Sequence, residues 1–116
     1  MMTFQADQMI APIYFKKYLE GRFELNVGEY LSALIISSKE VLASSVDIKT
    51  VKDITKDQID LVLTTNPEVV IIGTGAKQQI PSFDIMTLFA KAGKSVDFMS
   101  SDMACKTYNL LVNENR

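Results

Sequence analysis

Gly73-Thr74-Gly75 is the segment of this chain best suited to hold a ligand. It ends the run Val69-Val-Ile-Ile72, whose β-branched, apolar character predicts a buried strand. Glycine lets the backbone take positive φ and lets a ligand approach with no Cβ in the way. Successive amide N–H groups at such a turn can form an anion-binding nest. In open α/β sheets, ligand crevices lie beyond the carboxyl ends of the strands. A dinucleotide site is the first chemistry to weigh, because Gly73-x-Gly75 matches part of the fingerprint and Asp97 lies at ribose-acid distance. Gln78 stands where the last fingerprint glycine belongs, and Ala76 to Ile80 intervene before Pro81 restarts a helix. The fingerprint needs a helix N-terminus at the turn itself. That leaves two readings: a binding pocket of another kind, or glycines that only release the chain from a buried strand.

Few other side chains offer chemistry. Histidine is absent, which removes the commonest general base and zinc ligand and excludes a Ser-His-Asp or Cys-His site within one chain. Cys105 is the one cysteine, so no internal disulfide forms. A thiol near a helix start beside Lys106 can be activated, but with no base at hand it reads as a semi-buried packing residue. Lys77 and Lys106 would need desolvation to act as nucleophiles and read as surface lysines. Asp57 and Asp60 fall on a helix's solvent side, Asp97 reads as a satisfied surface carboxylate, and the six methionines read as core filler. No catalytic constellation, metal site or cofactor is expected.

The net charge of −2 and pI of about 5.0 argue against a domain held to phosphate backbones, and Lys16, Lys17 and Arg22 read as a solvated hairpin face. No apolar segment reaches the roughly 20 residues a bilayer span needs. Met1 to Ile10 carries neither a basic n-region nor an Arg-rich transit pattern, so a soluble, cytoplasmic protein is expected.

The elements that must position the turn follow from punctuation and period. Ile13–Leu19, Phe23–Val27, Tyr30–Ser37 and Val41–Val46 are predicted strands, with turns at Glu20-Gly21, Gly28 and Ser38–Glu40. Such tight spacing predicts antiparallel hairpins. Thr55-Lys-Asp-Gln58 is a capping box opening a helix with Ile59, Val62 and Leu63 on one face, closed by Asn66-Pro67. Ser82 is the predicted N-cap of a helix over Phe83–Ala92, with Gly93 as its C′ glycine. Ser95–Met99 is a second short strand. Ser100 or Ser101 caps a last helix, whose predicted apolar face holds Met103, Ala104, Thr107, Leu110 and Leu111. Alternating helix and strand predict parallel pairing with right-handed crossovers. The whole of residues 1–116 reads as a single globular α/β domain. Its expected architecture is three-layer β/β/α, with a small parallel central sheet and an antiparallel hairpin sheet.

Ile71-Ile-Gly-Thr-Gly75, Pro81, Gly93, Met99, Ala104-Cys105, Thr107-Tyr-Asn109, Leu111, Glu114 and Arg116, in this order, resemble a small-domain family of unknown function. That family includes mitochondrial complex I assembly factor three and the adipogenesis-associated domain proteins. The hairpin segment Phe23–Gly28 with Tyr30 also fits, although members often carry a tryptophan after these strands and this chain has none. The resemblance implies the β/β/α fold and does not imply an enzyme. It also implies a candidate pocket of Gly73, Thr74, Gly75, Met99, Ala104, Thr107, Tyr108 and Asn109 at the strand tips. Two functions stand from this. One is a non-enzymatic binding or assembly module with a protein partner. The other is a small-ligand binding protein or enzyme taking an anion in the crevice at Gly73-Thr74-Gly75. A third, structural role would join copies edge to edge through the early hairpins.

Overall fold

A computed structural model of the chain describes residues 12–114. Met1 to Ile10, read above for a leader, and Arg116 lie outside the described residues.

The first half is antiparallel. β1 (Phe15–Leu19), β2 (Arg22–Leu25) and β3 (Gly28–Tyr30) form a meander in the order β1-β2-β3. Gly21 makes the first reversal at φ 76°, a left-handed conformation that an L side chain resists. β4 (Ala33–Ile36) pairs with β5 (Val41–Val46) in a separate sheet. The single strand expected over Tyr30–Ser37 is therefore two strands in two sheets. The chain bends at Leu31 and Ser32, with Leu31 72% exposed, and neither residue is a glycine or proline that would have marked the break.

The second half is parallel. A 3-10 turn (Val51–Asp53) leads into α1 (Lys56–Leu63), β6 (Val70–Gly73), α2 (Phe83–Lys91), β7 (Val96–Met99) and α3 (Ser101–Asn113). The expected capping box opens α1: the Gln58 amide donates to Thr55 Oγ1 at 3.2 Å, and the Thr55 amide donates to Gln58 Oε1 at 2.9 Å. Ser82 caps α2 by accepting from the Ile85 amide at 3.3 Å. Gly93 closes α2 at φ 72°, with the Lys94 amide donating to the Phe89 carbonyl at 3.1 Å and the Gly93 amide to Ala90 at 3.0 Å. This is the Schellman closure that a C′ glycine permits.

β6 and β7 pair in parallel, with Val70 opposite Val96, Ile72 opposite Phe98 and Gly73 opposite Met99. Alternation along the strands turns Val70, Ile72, Val96 and Phe98 toward α1 and α2. There they join the core of Ile59, Val70, Ile85 and Phe89. Phe89 and Ile59 are 1% and 2% exposed, each contributing about 1.5–3 kcal/mol of burial. The opposite face of β6 meets α3. The expected α/β class holds, with a small parallel sheet and antiparallel hairpin sheets in layers. The face of α3 differs from the expectation. Ser101, Cys105 and Val112 are its buried residues, flanked by Ala104, Tyr108 and Leu111, while Met103 and Leu110 are 50% and 64% exposed. Tyr108, amphipathic and hydrogen-bonded, takes the inward position that the two more apolar residues were expected to share.

Candidate functional site

The glycine turn leaves β6 beside the start of α3, and it is closely engaged there. The Thr74 amide donates to the Met99 carbonyl at 2.8 Å, which continues the parallel ladder past the strand ends. The Gly75 amide donates to Ser101 Oγ, and the Ser101 amide returns a bond to the Gly75 carbonyl, both at 2.8 Å. Thr74 is buried. Its hydroxyl donates to the Lys77 carbonyl at 2.7 Å, lies 3.1 Å from that of Met99, and accepts from the Gln79 amide at 3.1 Å. Gln78 donates to the Phe98 carbonyl at 2.9 Å, and Gln79 accepts from the Val51 amide at 3.1 Å. The amides of Thr74 and Gly75, which an anion would have to engage, are thus directed at α3 and β7.

The two glycines differ in what requires them. A Cβ at Gly73 would stand 3.0 Å from Ser101 Oγ and 3.1 Å from both Ala104 Cβ and Ser101 Cα, so its bareness lets α3 approach β6. Gly75 has φ 91° with nothing within 4 Å of its absent Cβ, so its requirement is conformational.

Tyr108 and Asn109 lie further along α3, roughly 11 Å from Ser101 at 1.5 Å rise per residue. Their side chains are directed at the first strand. Asn109 accepts from the Phe15 amide at 2.9 Å and donates to the Phe15 carbonyl at 2.8 Å, pairing with it as a neighbouring strand would. Tyr108 donates to the Ile13 carbonyl at 2.7 Å, with the Ser37 carbonyl at 3.5 Å, and its ring meets Phe15 edge-on at 5.5 Å. Burial pushes the Tyr108 phenol up to about 12. Cys105 is buried one turn back. Burial, with a smaller contribution from the Asp102 charge, pushes its thiol up to about 12, away from the thiolate a nucleophile needs.

Between the antiparallel and parallel halves runs an open groove of about 990 Å³. Phe15, Tyr18 and Phe23 form one part of its wall, Leu34, Ile35, Ile36 and Leu42 of the β4–β5 hairpin another, and Ile71, Ala104, Cys105, Tyr108 and Leu111 a third. Of the candidate pocket residues, Gly73, Thr74, Gly75, Ala104 and Tyr108 line this groove, whereas Met99, Thr107 and Asn109 do not. The groove brings in a wall that sequence reasoning missed, the β4–β5 hairpin. A signal was present: Ala33-Leu-Ile-Ile36 and Val41-Leu-Ala43 do not alternate, and a hairpin with one wet face should. Ser101 was weighed only as a cap; Ser100 is the cap, accepting from the Met103 amide at 3.4 Å, and Ser101 closes the glycine turn.

The remaining charged candidates sit outside the groove's apolar walls. Lys77 and Asp97 are exposed. Lys106 pairs with Asp102 at 3.3 Å, Asp60 with Lys56 at 2.9 Å, and Arg22 Nε with Glu29 at 2.7 Å, all on solvated surfaces. Among the described residues, no cluster of His, Cys, Asp or Glu could hold a metal ion, and no helix is long and apolar enough to cross a membrane.

Comparisons with known proteins agree with this architecture. The chain is 56% identical over 116 residues, its full length and 94% of the other, to a Francisella tularensis subsp. holarctica protein named "13 kDa major membrane protein". A crystal structure of a Bordetella parapertussis protein matches it with TM-score 0.81 and 27% identity, covering 92% of this chain and 91% of that one. A Bartonella henselae structure described as an outer membrane protein matches with TM-score 0.77 and 26% identity, covering 91% and 87%. Residues 15–116 match the family described as "Protein of unknown function (DUF498/DUF598)", and the chain belongs to that family.

Proposed function

We propose that this protein is a non-enzymatic binding or assembly module that receives its partner in the apolar groove. One observation carries the reading. The polar groups of the glycine turn and of Tyr108–Asn109 are engaged within the fold, while the groove walls offer apolar surface that no other described residue covers, of the kind partners cover. A role like that of complex I assembly factor three is the finer form of this proposal, and the resemblance in Thr107-Tyr-Asn109 and the glycine turn supports it. In this reading the protein acts in the cytoplasm. The names given to the Francisella and Bartonella relatives point instead toward a membrane, and fractionation of cells carrying the tagged full chain separates the two.

The test is cross-linking in native cell extract with the wild-type chain and a Leu42→Glu variant, whose added charge sits on the groove wall. A defined partner recovered by the wild type and lost by the variant, at unchanged melting temperature, supports the module. Equal recovery by both chains, or measurable turnover by the purified protein, overturns it.

A second reading keeps the anion crevice, bounded by Gly73, Thr74, Gly75, Ala104 and Tyr108 where they line the groove. The open space beside Gly75 favours it. A thermal-shift screen of phosphates, carboxylates and nucleotides at millimolar concentration tests it, and no shift from any of them defeats it.

A further inference from the structure

We infer that the antiparallel half opens from the parallel half along the groove, and that Tyr108 and Asn109 are the latch holding it closed. The inference goes beyond the binding reading, because it concerns the free protein and is tested without any partner.

Three observations carry it. First, the principal core is built from one half only. Ile59, Val70, Ile85 and Phe89, with the partly buried residues packed on them, all lie between Ile54 and Phe98. In the other half, β4 and β5 contribute no buried residue, and only Ile13 and Leu25 are buried apolar side chains among the described residues. A unit with little buried apolar surface opens at lower free energy than the part that owns the core. Second, among the described residues, the polar side-chain links between the halves are few and concentrated. Asn109 holds both backbone groups of Phe15, Tyr108 reaches Ile13 and Ser37, and Gln79 reaches the Val51 amide at the edge of the parallel half. The first two residues are neighbours on α3, so one helix turn carries most of the polar attachment. Third, among the described residues the chain passes between the halves once, through the exposed Asp47, Lys49 and Thr50. There the Asp53 carboxylate gathers the Lys49 and Thr50 amides at 3.0 and 3.1 Å, giving the connection a fixed pivot. A groove between two units, one covalent crossing and a localised latch together make a hinged opening, and α3 moves with β6, whose Gly73 packs directly on it.

Native-state hydrogen exchange on the full chain tests this. In the wild type, amides of β1–β5 are expected to exchange at least about tenfold faster than those of β6, α1 and α2 after correction for intrinsic rates. Asn109→Leu, which leaves the Phe15 amide and carbonyl unpaired, is expected to speed β1–β5 exchange by roughly a further tenfold while leaving β6 and α2 within about twofold. Tyr108→Phe should act in the same direction, and it serves as the second variant if Asn109→Leu does not fold. A common protection factor across both halves in the wild type overturns the inference. So does a latch substitution that speeds exchange equally in both.

Discussion

Replacing Gly73 with alanine should weaken the protein by separating α3 from β6. The new Cβ would stand 3.0 Å from Ser101 Oγ and 3.1 Å from Ser101 Cα and Ala104 Cβ, tighter than such contacts ordinarily are, so these neighbours would have to give by a few tenths of an ångström. Rotating the Ser101 side chain does not resolve this, since its Cα and the Ala104 methyl remain. Nor is Ser101 free to retreat, because its Oγ and amide hold the two 2.8 Å bonds to Gly75. Overpacking of this kind costs about 1–3 kcal/mol. Loss of the Gly75 amide bond to Ser101 Oγ would add about 1 kcal/mol. At a urea slope of about 1.5 kcal/mol/M, a total cost of about 2–4 kcal/mol lowers the denaturation midpoint by roughly 1–3 M with the slope unchanged. The assay is equilibrium urea unfolding of Gly73→Ala, Ala104→Gly and the double variant. Ala104→Gly removes one of the three close atoms, so the double variant should recover at least about 0.5 kcal/mol relative to the sum of the singles. A Gly73→Ala midpoint equal to wild type, or strict additivity in the cycle, would refute the claim that bareness at this position seats α3.

Other outcomes follow from the same contacts. Stability should fall as pH rises from about 9 toward 12. Cys105 and Tyr108 are each held neutral by the fold, their folded pKa values raised to about 12 from ordinary values of 9.0 and 10.0, so their contribution is complete below pH 9 and lost on the way to 12. Cys105→Ala should flatten that decline, and a decline of identical slope would contradict it. Gly75→Ala should cost about 1 kcal/mol or more through backbone strain at φ 91°, with no coupling to Ala104→Gly in the same cycle. Phe89→Ala, at the centre of the core, should cost about 3–5 kcal/mol by denaturation.

The legible parts of this fold were those that local chemistry dictates. The Thr55–Gln58 box, the Ser82 cap and the Gly93 closure each satisfy backbone groups a few residues away, so the sequence window contains both partners. The parallel pairing of β6 and β7 followed from the alternation of helix and strand. Elements settled by distant contacts were hidden. The bend at Leu31-Ser32 has no turn residue, and it is set by which sheet each strand joins. The 3-10 turn at Val51–Asp53 is held by Gln79, far along the chain. The inward face of α3 could not be read from hydropathy, because Tyr108 and Asn109 face backbone groups in and just before the first strand, more than ninety residues away. At the candidate site, the glycines were visible by type, but the use of their amides by Ser101 and Met99 was a tertiary fact.

Amide shift mapping by NMR distinguishes most directly between the groove and the glycine turn as the binding surface. The labelled full chain is titrated separately with inorganic phosphate, a nucleotide and an apolar naphthalene probe. The apolar probe is expected to move the amides of Ile35, Ile36, Leu42, Ile71 and Leu111, while the anions leave Thr74 and Gly75 unmoved at millimolar concentration. Saturable anion shifts at Thr74 and Gly75, with the groove amides silent to the apolar probe, would contradict it.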